Sequence, residues 1–283
     1  MNMDDNLILP TLPPAIERYE LKYVIPQDLV DPISDFLAPY CELDGHSARE
    51  PDHFYAVNSL YLDTPCFRFL KQRMGGADRR FNARVRASGD GSVGPYYAEI
   101  KHKSATSIKK FRATLSTDEW PGFLVDSSST ASPALGDKER LSRNLFLYIA
   151  SAYAIEPKIF TCYRRRAFAS HMDDYARVTF DIDMRFRLQD SMCAVNPYSL
   201  DARHDCINYD VQNIYGDEAR YGANVILELK ATIGAVPLWM VELIRRFQLT
   251  RVGFSKYLNS SMSARHDNGT HYMDADRRAG VLA

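Results

Sequence analysis

Charged and apolar residues alternate along several short stretches of this chain, and three of them share one triplet of Glu, an apolar residue and Lys. The triplets are Glu20-Leu21-Lys22, Glu99-Ile100-Lys101 and Glu228-Leu229-Lys230. Side chains of a β-strand point to opposite faces in turn, so each triplet puts both charges on one face and the apolar residue on the other. The third triplet lies among Val225, Ile226, Leu227, Leu229 and Ala231. A strand that apolar is predicted to be largely buried, where unpaired charges are costly, so its charges require partners.

The same alternation predicts further strands. Residues 18–25 place Arg18, Glu20, Lys22 and Val24 on one face, and 81–86 place Arg84 and Arg86 together. Residues 96–103 group Glu99, Lys101 and Lys103, 109–115 group Lys110 and Arg112, and 176–183 group Arg177, Thr179, Asp181 and Asp183. Residues 53–63 and 158–168 add two more strands. Helical spacing of apolar residues predicts helices from Pro26 through Leu37, over 138–153, and through Trp239, Met240, Leu243 and Phe247, with a short one opened by Pro65. Tight turns between consecutive strands, such as the one at Gly89-Asp90-Gly91, argue for an antiparallel sheet. Residues 189–222 have no clean period and are predicted to be a long loop. The pattern predicts one domain over 15–262, a flexible lead over 1–14 and a flexible tail over 263–283.

One polar face per sheet is ordinary for strands exposed to water. Some seven strands that all carry charges at i and i+2, several otherwise strongly apolar, are better explained by closure into a barrel with a polar lumen. The expected fold is therefore α+β, an antiparallel β-barrel with helices packed outside. Composition sharpens this picture. The chain has 283 residues, with 35 Lys and Arg against 36 Asp and Glu. Bulk basicity does not advertise nucleic acid or membrane binding, so any anion site must be local. Yet the predicted lumen is rich in cations, and such a surface repels itself unless a polyanion or paired carboxylates fill it. Phosphate chains fit best, since Arg binds phosphate oxygens as a fork, Lys as a point charge, and a few carboxylates can hold a bridging divalent cation.

Other chemistries are disfavoured. There is no Gly-x-x-x-x-Gly-Lys loop or Gly-x-Gly-x-x-Gly fingerprint. Five cysteines, without CxxC spacing, and seven histidines, without metal-ligand spacing, suggest neither a disulfide framework nor a zinc site. The acidic start Met1-Asn2-Met3-Asp4-Asp5 and the lack of a membrane-length apolar run predict a cytoplasmic chain with no integral membrane segment. Single-stranded nucleic-acid binding would need aromatics on the basic face, and here most alternate away from it.

The sequence resembles the VTC-type polyphosphate polymerase domain, a branch of the triphosphate tunnel metalloenzymes that include CYTH proteins. The resemblance runs from about Arg18 to Leu258. It is carried by Arg18-Tyr19-Glu20-Leu21-Lys22-Tyr23, Ser59-Leu60-Tyr61-Leu62-Asp63-Thr64, Arg84-Val85-Arg86, Glu99-Ile100-Lys101, Tyr163-Arg164-Arg165-Arg166-Ala167-Phe168, residues 177–183, Leu227-Glu228-Leu229-Lys230 and Phe254-Ser255-Lys256-Tyr257. It implies that Lys22, Arg84, Arg86, Lys101, Arg165, Arg177 and Lys256 contact phosphates, with Glu228 as ligand of Mn2+ or Mg2+. Parity adds Arg18, Lys103, Lys110, Arg112 and Lys230 as further phosphate contacts. Glu20, Glu99 and Asp183 either assist the metal or hold the basic residues in place. Arg18 stands where the CYTH signature has a glutamate, which favours the VTC branch. The implied activity is transfer of the ATP γ-phosphate to a polyphosphate chain. Hydrolysis of triphosphate or a nucleoside triphosphate, and a non-catalytic polyphosphate or nucleotide receptor, remain the alternatives.

Overall fold

The computed structural model describes residues 18–88, 94–104, 107–124, 136–189, 205–206 and 223–265. The lead over 1–14, the turn at Gly89-Asp90-Gly91, most of the loop over 189–222 and the tail beyond residue 265 lie outside them. Ten strands form one antiparallel sheet. They are β1 (Arg18–Pro26), β2 (Cys41–Leu43), β3 (Tyr55–Asp63), β4 (Arg79–Ser88), β5 (Tyr96–Ser104), β6 (Ser107–Leu115), β7 (Glu156–Ser170), β8 (Ala176–Leu188), β9 (Asp205–Cys206) and β10 (Ala223–Thr232). The strand order is β1-β10-β8-β7-β3-β4-β5-β6, with β2 pairing β7 and β9 pairing β8.

The sheet is strongly curled. β1 and β5 lie near opposite ends of that path, yet the Lys101 ammonium donates to Glu20 at 3.1 Å. Among the described residues no main-chain ladder joins the two end strands β1 and β6, so the sheet approaches closure through this side-chain bridge.

Alternation explains why the sheet has a dry convex face. Leu60, Val85, Ile100, Phe111 and Ala113 pack beneath α3 (Asp137–Tyr153), whose Leu145, Phe146 and Ile149 recur at helical spacing. Val178, Phe180, Leu227 and Leu229 pack beneath α1 (Val30–Leu37) and α4 (Leu238–Arg246) through Ile33, Leu37, Trp239 and Leu243. These three helices lie outside the curled sheet, as their apolar spacing predicts.

Two further helices shape the concave side. α2 (Arg68–Met74) and α5 (Lys256–Arg265) bring Leu70, Tyr257 and Met262 against Tyr61 and Ile159. Tyr61 and Tyr257 stack with ring centroids 5.1 Å apart. Asp63, fully buried at the end of β3, ties both helices down. Its carboxylate accepts from the amides of Thr64, Phe69 and Leu70 at 2.7, 2.9 and 2.9 Å, and from the Tyr257 hydroxyl at 2.7 Å. A carboxylate at the start of α2 also meets the positive end of the helix dipole.

Asp63→Ala would orphan these buried donors, so it is expected to lower the unfolding free energy by about 3 kcal/mol or more. Tyr257→Phe should cost about 1 kcal/mol. Urea unfolding measures both, and a loss below about 1 kcal/mol for Asp63→Ala would show that the two helices are held some other way.

Candidate active site

Register places the charged residues before any side-chain contact is considered. Facing pairs of an antiparallel ladder share a face. Lys22 faces Glu228, Glu20 faces Lys230, Lys230 faces Arg177, Arg165 faces Asp181, Arg84 faces Glu99, Glu99 faces Arg112, and Lys101 faces Lys110. All of these project into the concave side, where all but Arg177 form three clusters around buried or half-buried carboxylates.

The first cluster joins β1, β10 and β5. Lys22 lies 2.9 Å from Glu20 and 3.8 Å from Glu228, Lys230 lies 3.3 Å from Glu228, and Lys101 lies 3.1 Å from Glu20. Lys22 also donates to the Phe254 carbonyl at 3.2 Å, which moors the segment leading into α5. Glu20 and Glu228 are close enough to act directly on each other. Burial opposes the Glu228 charge, but Lys230, Lys22 and Arg165 outweigh it and hold the carboxyl well below the usual range. In Glu20, burial and the Glu228 charge are outweighed by Lys22 and Lys101, and its carboxyl is also lowered.

The second cluster centres on Asp181, which is fully buried. Arg165 grips it as a fork, with Nε at 2.6 Å from Oδ1 and a terminal nitrogen at 2.8 Å from Oδ2, and Lys256 at the start of α5 donates to the same carboxylate. Against the cost of burial, Arg165 and Lys256 keep the Asp181 carboxyl low. Arg165 also reaches within 4.0 Å of Glu228, linking the two clusters.

The third cluster, on β4, β5 and β6, has a single carboxylate, Glu99. Arg84 holds Oε2 at 2.7 Å, while Lys110 and Arg112 each lie 2.7 Å from Oε1. One negative charge cannot neutralise three cations. Burial together with the Arg84 and Arg112 guanidiniums outweighs Glu99 at Lys110 and pushes its ammonium down to about 7. Lys110 and Arg112 are 42% and 43% exposed, against 11% for Arg165 and for Lys256, so this cluster lines the open side of the cleft.

Among the described residues, eight Lys and Arg side chains thus share four carboxylates. Among the described residues no group of three His, Cys, Asp or Glu could hold a metal by itself. Glu228 and Glu20 nevertheless supply adjoining carboxylates, a donor set that suits Mg2+ or Mn2+ sharing its remaining positions with phosphate oxygens and water.

The remaining predicted residues have different neighbours. Arg86 faces Ser59 and Tyr97, and its Nε is buried without a hydrogen-bond partner among the described residues. Arg177 is held 3.0 Å from Asp44, Arg18 lies 3.7 Å over the Tyr175 ring, and Lys103 faces Arg80. Asp183 does not join Asp181. It has φ of 50° where the β7–β8 register slips, and its partner is Arg164 at 3.5 Å. The bulge changes the face that simple alternation predicts. Arg164 and Arg166 turn outward to Asp52 and Asp31, leaving Arg165 alone of the three facing inward.

Sequence reasoning left out three residues that sit among these groups. Asp181 lies on the charged face of its strand, but alternation alone does not distinguish it from its neighbours. Tyr163 is buried with Lys256 4.5 Å from its ring centre and Arg165 at 5.3 Å. Burial raises its hydroxyl, but these cations bring it below the ordinary tyrosine value. Arg73, on α2, acts on both Lys22 and Glu20, and no strand parity could have found it.

No curated protein matches the chain. Among solved structures, a candidate adenylate cyclase from Bacillus halodurans is similar at 12% identity, covering 84% of this chain and 95% of that one, with a TM-score of 0.45. A candidate adenylyl cyclase from Hippeastrum with a dominant triphosphatase activity is similar at 13% identity over 87% and 94%, with a TM-score of 0.40. A Mimivirus capping enzyme triphosphatase is similar at 9% identity over 81% and 89%, with a TM-score of 0.28. The family model of the VTC domain matches residues 17–265. That match starts just before β1 and ends with the last residue of α5, so it spans the whole curled sheet and the helix inside it, and the chain belongs to the VTC domain family.

Proposed function

We propose that this protein is a metal-dependent polyphosphate polymerase that transfers the γ-phosphate of ATP to a growing phosphate chain along the concave face of its sheet. The observation that carries this reading is the excess of cations over carboxylates there. Eight cationic groups on one lining share four carboxylates, and a ligand with several regularly spaced negative charges relieves that imbalance.

The chemistry follows from positioning and charge. Lys22, Lys101 and Lys256 act as point charges along the chain, while Arg84, Arg86 and Arg165 offer guanidinium nitrogens to its oxygens. Arg177, and with lesser weight Arg18, Lys103, Lys110, Arg112 and Lys230, extend the contacts toward the rims. Glu228, assisted by Glu20, would hold Mn2+ or Mg2+, which when bound offsets charge on the phosphate oxygens. Asp181 keeps Arg165 and Lys256 aimed. The acceptor phosphate is itself the nucleophile and attacks in line, so no protein nucleophile is needed; alignment and preorganised charge lower the barrier. Among the described residues no helix is long and apolar enough to cross a membrane, and the reaction is proposed to occur in the cytoplasm. A triphosphatase in which water replaces the acceptor uses the same lining.

The test is to incubate the protein with ATP and Mn2+ or Mg2+ and resolve ADP, free phosphate and acid-stable polyphosphate together. Polyphosphate formed alongside ADP is expected, whereas free phosphate alone would make the protein a triphosphatase. Glu228→Gln should lower metal-dependent turnover by about 100-fold or more, and full activity in that variant would remove Glu228 from the site.

Lys110 gives a second expectation. Burial and the Arg84 and Arg112 guanidiniums push its ammonium down to about 7, and a phosphate beside it favours the protonated form. Lys110 should therefore add proton uptake to tripolyphosphate binding as pH rises above about 7, and its share of the affinity should fall over the same range. Calorimetry in buffers of different ionisation enthalpy measures the uptake. Lys110→Gln should reduce it, and identical uptake in both proteins would contradict the assignment.

A further inference from the structure

Glu99 is 2% exposed, and both of its oxygens are fully engaged. Oε2 accepts from Arg84 Nε at 2.8 Å and lies 2.7 Å from a terminal nitrogen of the same guanidinium. Oε1 accepts from Arg112 Nε at 2.7 Å and pairs with Lys110 at 2.7 Å. The geometry is that of an anion in a three-cation cradle, with the two arginines each presenting a charge-assisted donor. The cradle opens toward the cleft, since Lys110 and Arg112 are more than two-fifths exposed. Arg84 directs another terminal nitrogen to the Tyr61 hydroxyl at a long 3.4 Å, and Tyr97 backs the Arg112 guanidinium at 4.8 Å. A phosphate group arriving here meets cations that already hold a carboxylate.

We propose that Glu99 is a built-in counter-anion that competes with phosphate for Arg84, Lys110 and Arg112, and so sets how many linked phosphates a ligand must bring before it binds. The inference rests on the reading of the concave face as a phosphate-chain site. Loosening Glu99 from its cations is a fixed cost for each ligand, whatever its length. A single phosphate has only its own contacts to offset that cost, whereas a chain adds contacts to Lys22, Lys101 and Arg165 with each further unit. Orthophosphate is thereby kept from the Arg84, Lys110 and Arg112 end of the cleft, and chains are admitted there. The carboxylate also keeps the three cations from repelling one another while the cleft is empty.

The competitor role and a simple aiming role predict opposite signs for Glu99→Gln. Loss of an aiming group weakens every ligand. Loss of a competitor tightens ligands even though the empty protein becomes less stable. The experiment measures the melting temperature without ligand and the calorimetric Kd for orthophosphate and for tripolyphosphate, all without metal, in the wild type, Glu99→Gln and Glu99→Asp. The wild type should bind tripolyphosphate and bind orthophosphate far more weakly. Glu99→Gln should melt lower without ligand, yet bind orthophosphate about tenfold tighter or more than the wild type does. Should Glu99→Gln fail to fold, Glu99→Asp carries the test. It keeps the charge on an arm too short to reach all three cations and should shift orthophosphate binding the same way by a smaller factor. Orthophosphate binding that is unchanged or weaker in the folded variants overturns the proposal while leaving the phosphate-chain reading in place. Failure of the wild type to bind tripolyphosphate both without metal and with Mn2+ overturns that reading, and this proposal with it.

Discussion

The charge imbalance on the inside of one curled sheet is the constraint on which the rest of the structure depends. Among the described residues, eight Lys and Arg side chains there share four carboxylates, two of them almost fully buried and a third, Asp181, completely so. Each carboxylate is divided among two or three cations, and each cation therefore sits in a network instead of a simple pair. Removing one partner from such a network leaves buried charge uncompensated, which is far more disruptive than losing an exposed ion pair. The concave face is thus held together by its own charged groups.

The apolar construction exists to keep those groups in place. On the convex face, α1, α3 and α4 cover the apolar halves of the strands, which fixes register and hence which charges face each other. On the concave face, Asp63 anchors α2 and the Tyr257 end of α5, and this places Lys256 on Asp181 and the Phe254 carbonyl on Lys22. Lys256 comes from the far end of the chain, so part of the site is assembled only when α5 has docked.

Much of this was legible in the sequence because period-2 alternation directly encodes a face. The repeated Glu, apolar, Lys triplets placed Glu20 with Lys22, Glu99 with Lys101 and Glu228 with Lys230, and the structure gathers all six on the concave side. Alternation failed where the backbone breaks its own period. The slip opposite Arg164 and the positive φ at Asp183 send that residue away from Asp181, and nothing in the residues of β8 announces a bulge. The register of 163–168 was ambiguous by parity, with three consecutive arginines, and only the motif selected Arg165. α5 was not visible as a helix because its buried positions include Asn259, Ser260 and Ser261, which give no apolar stripe. The contact of Asp63 with Tyr257 spans 194 residues of chain and has no local signal.

The central claim, that the concave face binds a phosphate chain, is tested most directly by a crystal structure of the protein with tripolyphosphate and Mn2+. The account predicts a chain lying along the cleft from the Arg84 and Arg112 side toward Lys22, Arg165 and Lys256, with the metal against Glu228. A ligand found on the convex face, or a cleft left empty at saturating tripolyphosphate with Glu99 and Asp181 still fully engaged, would contradict it.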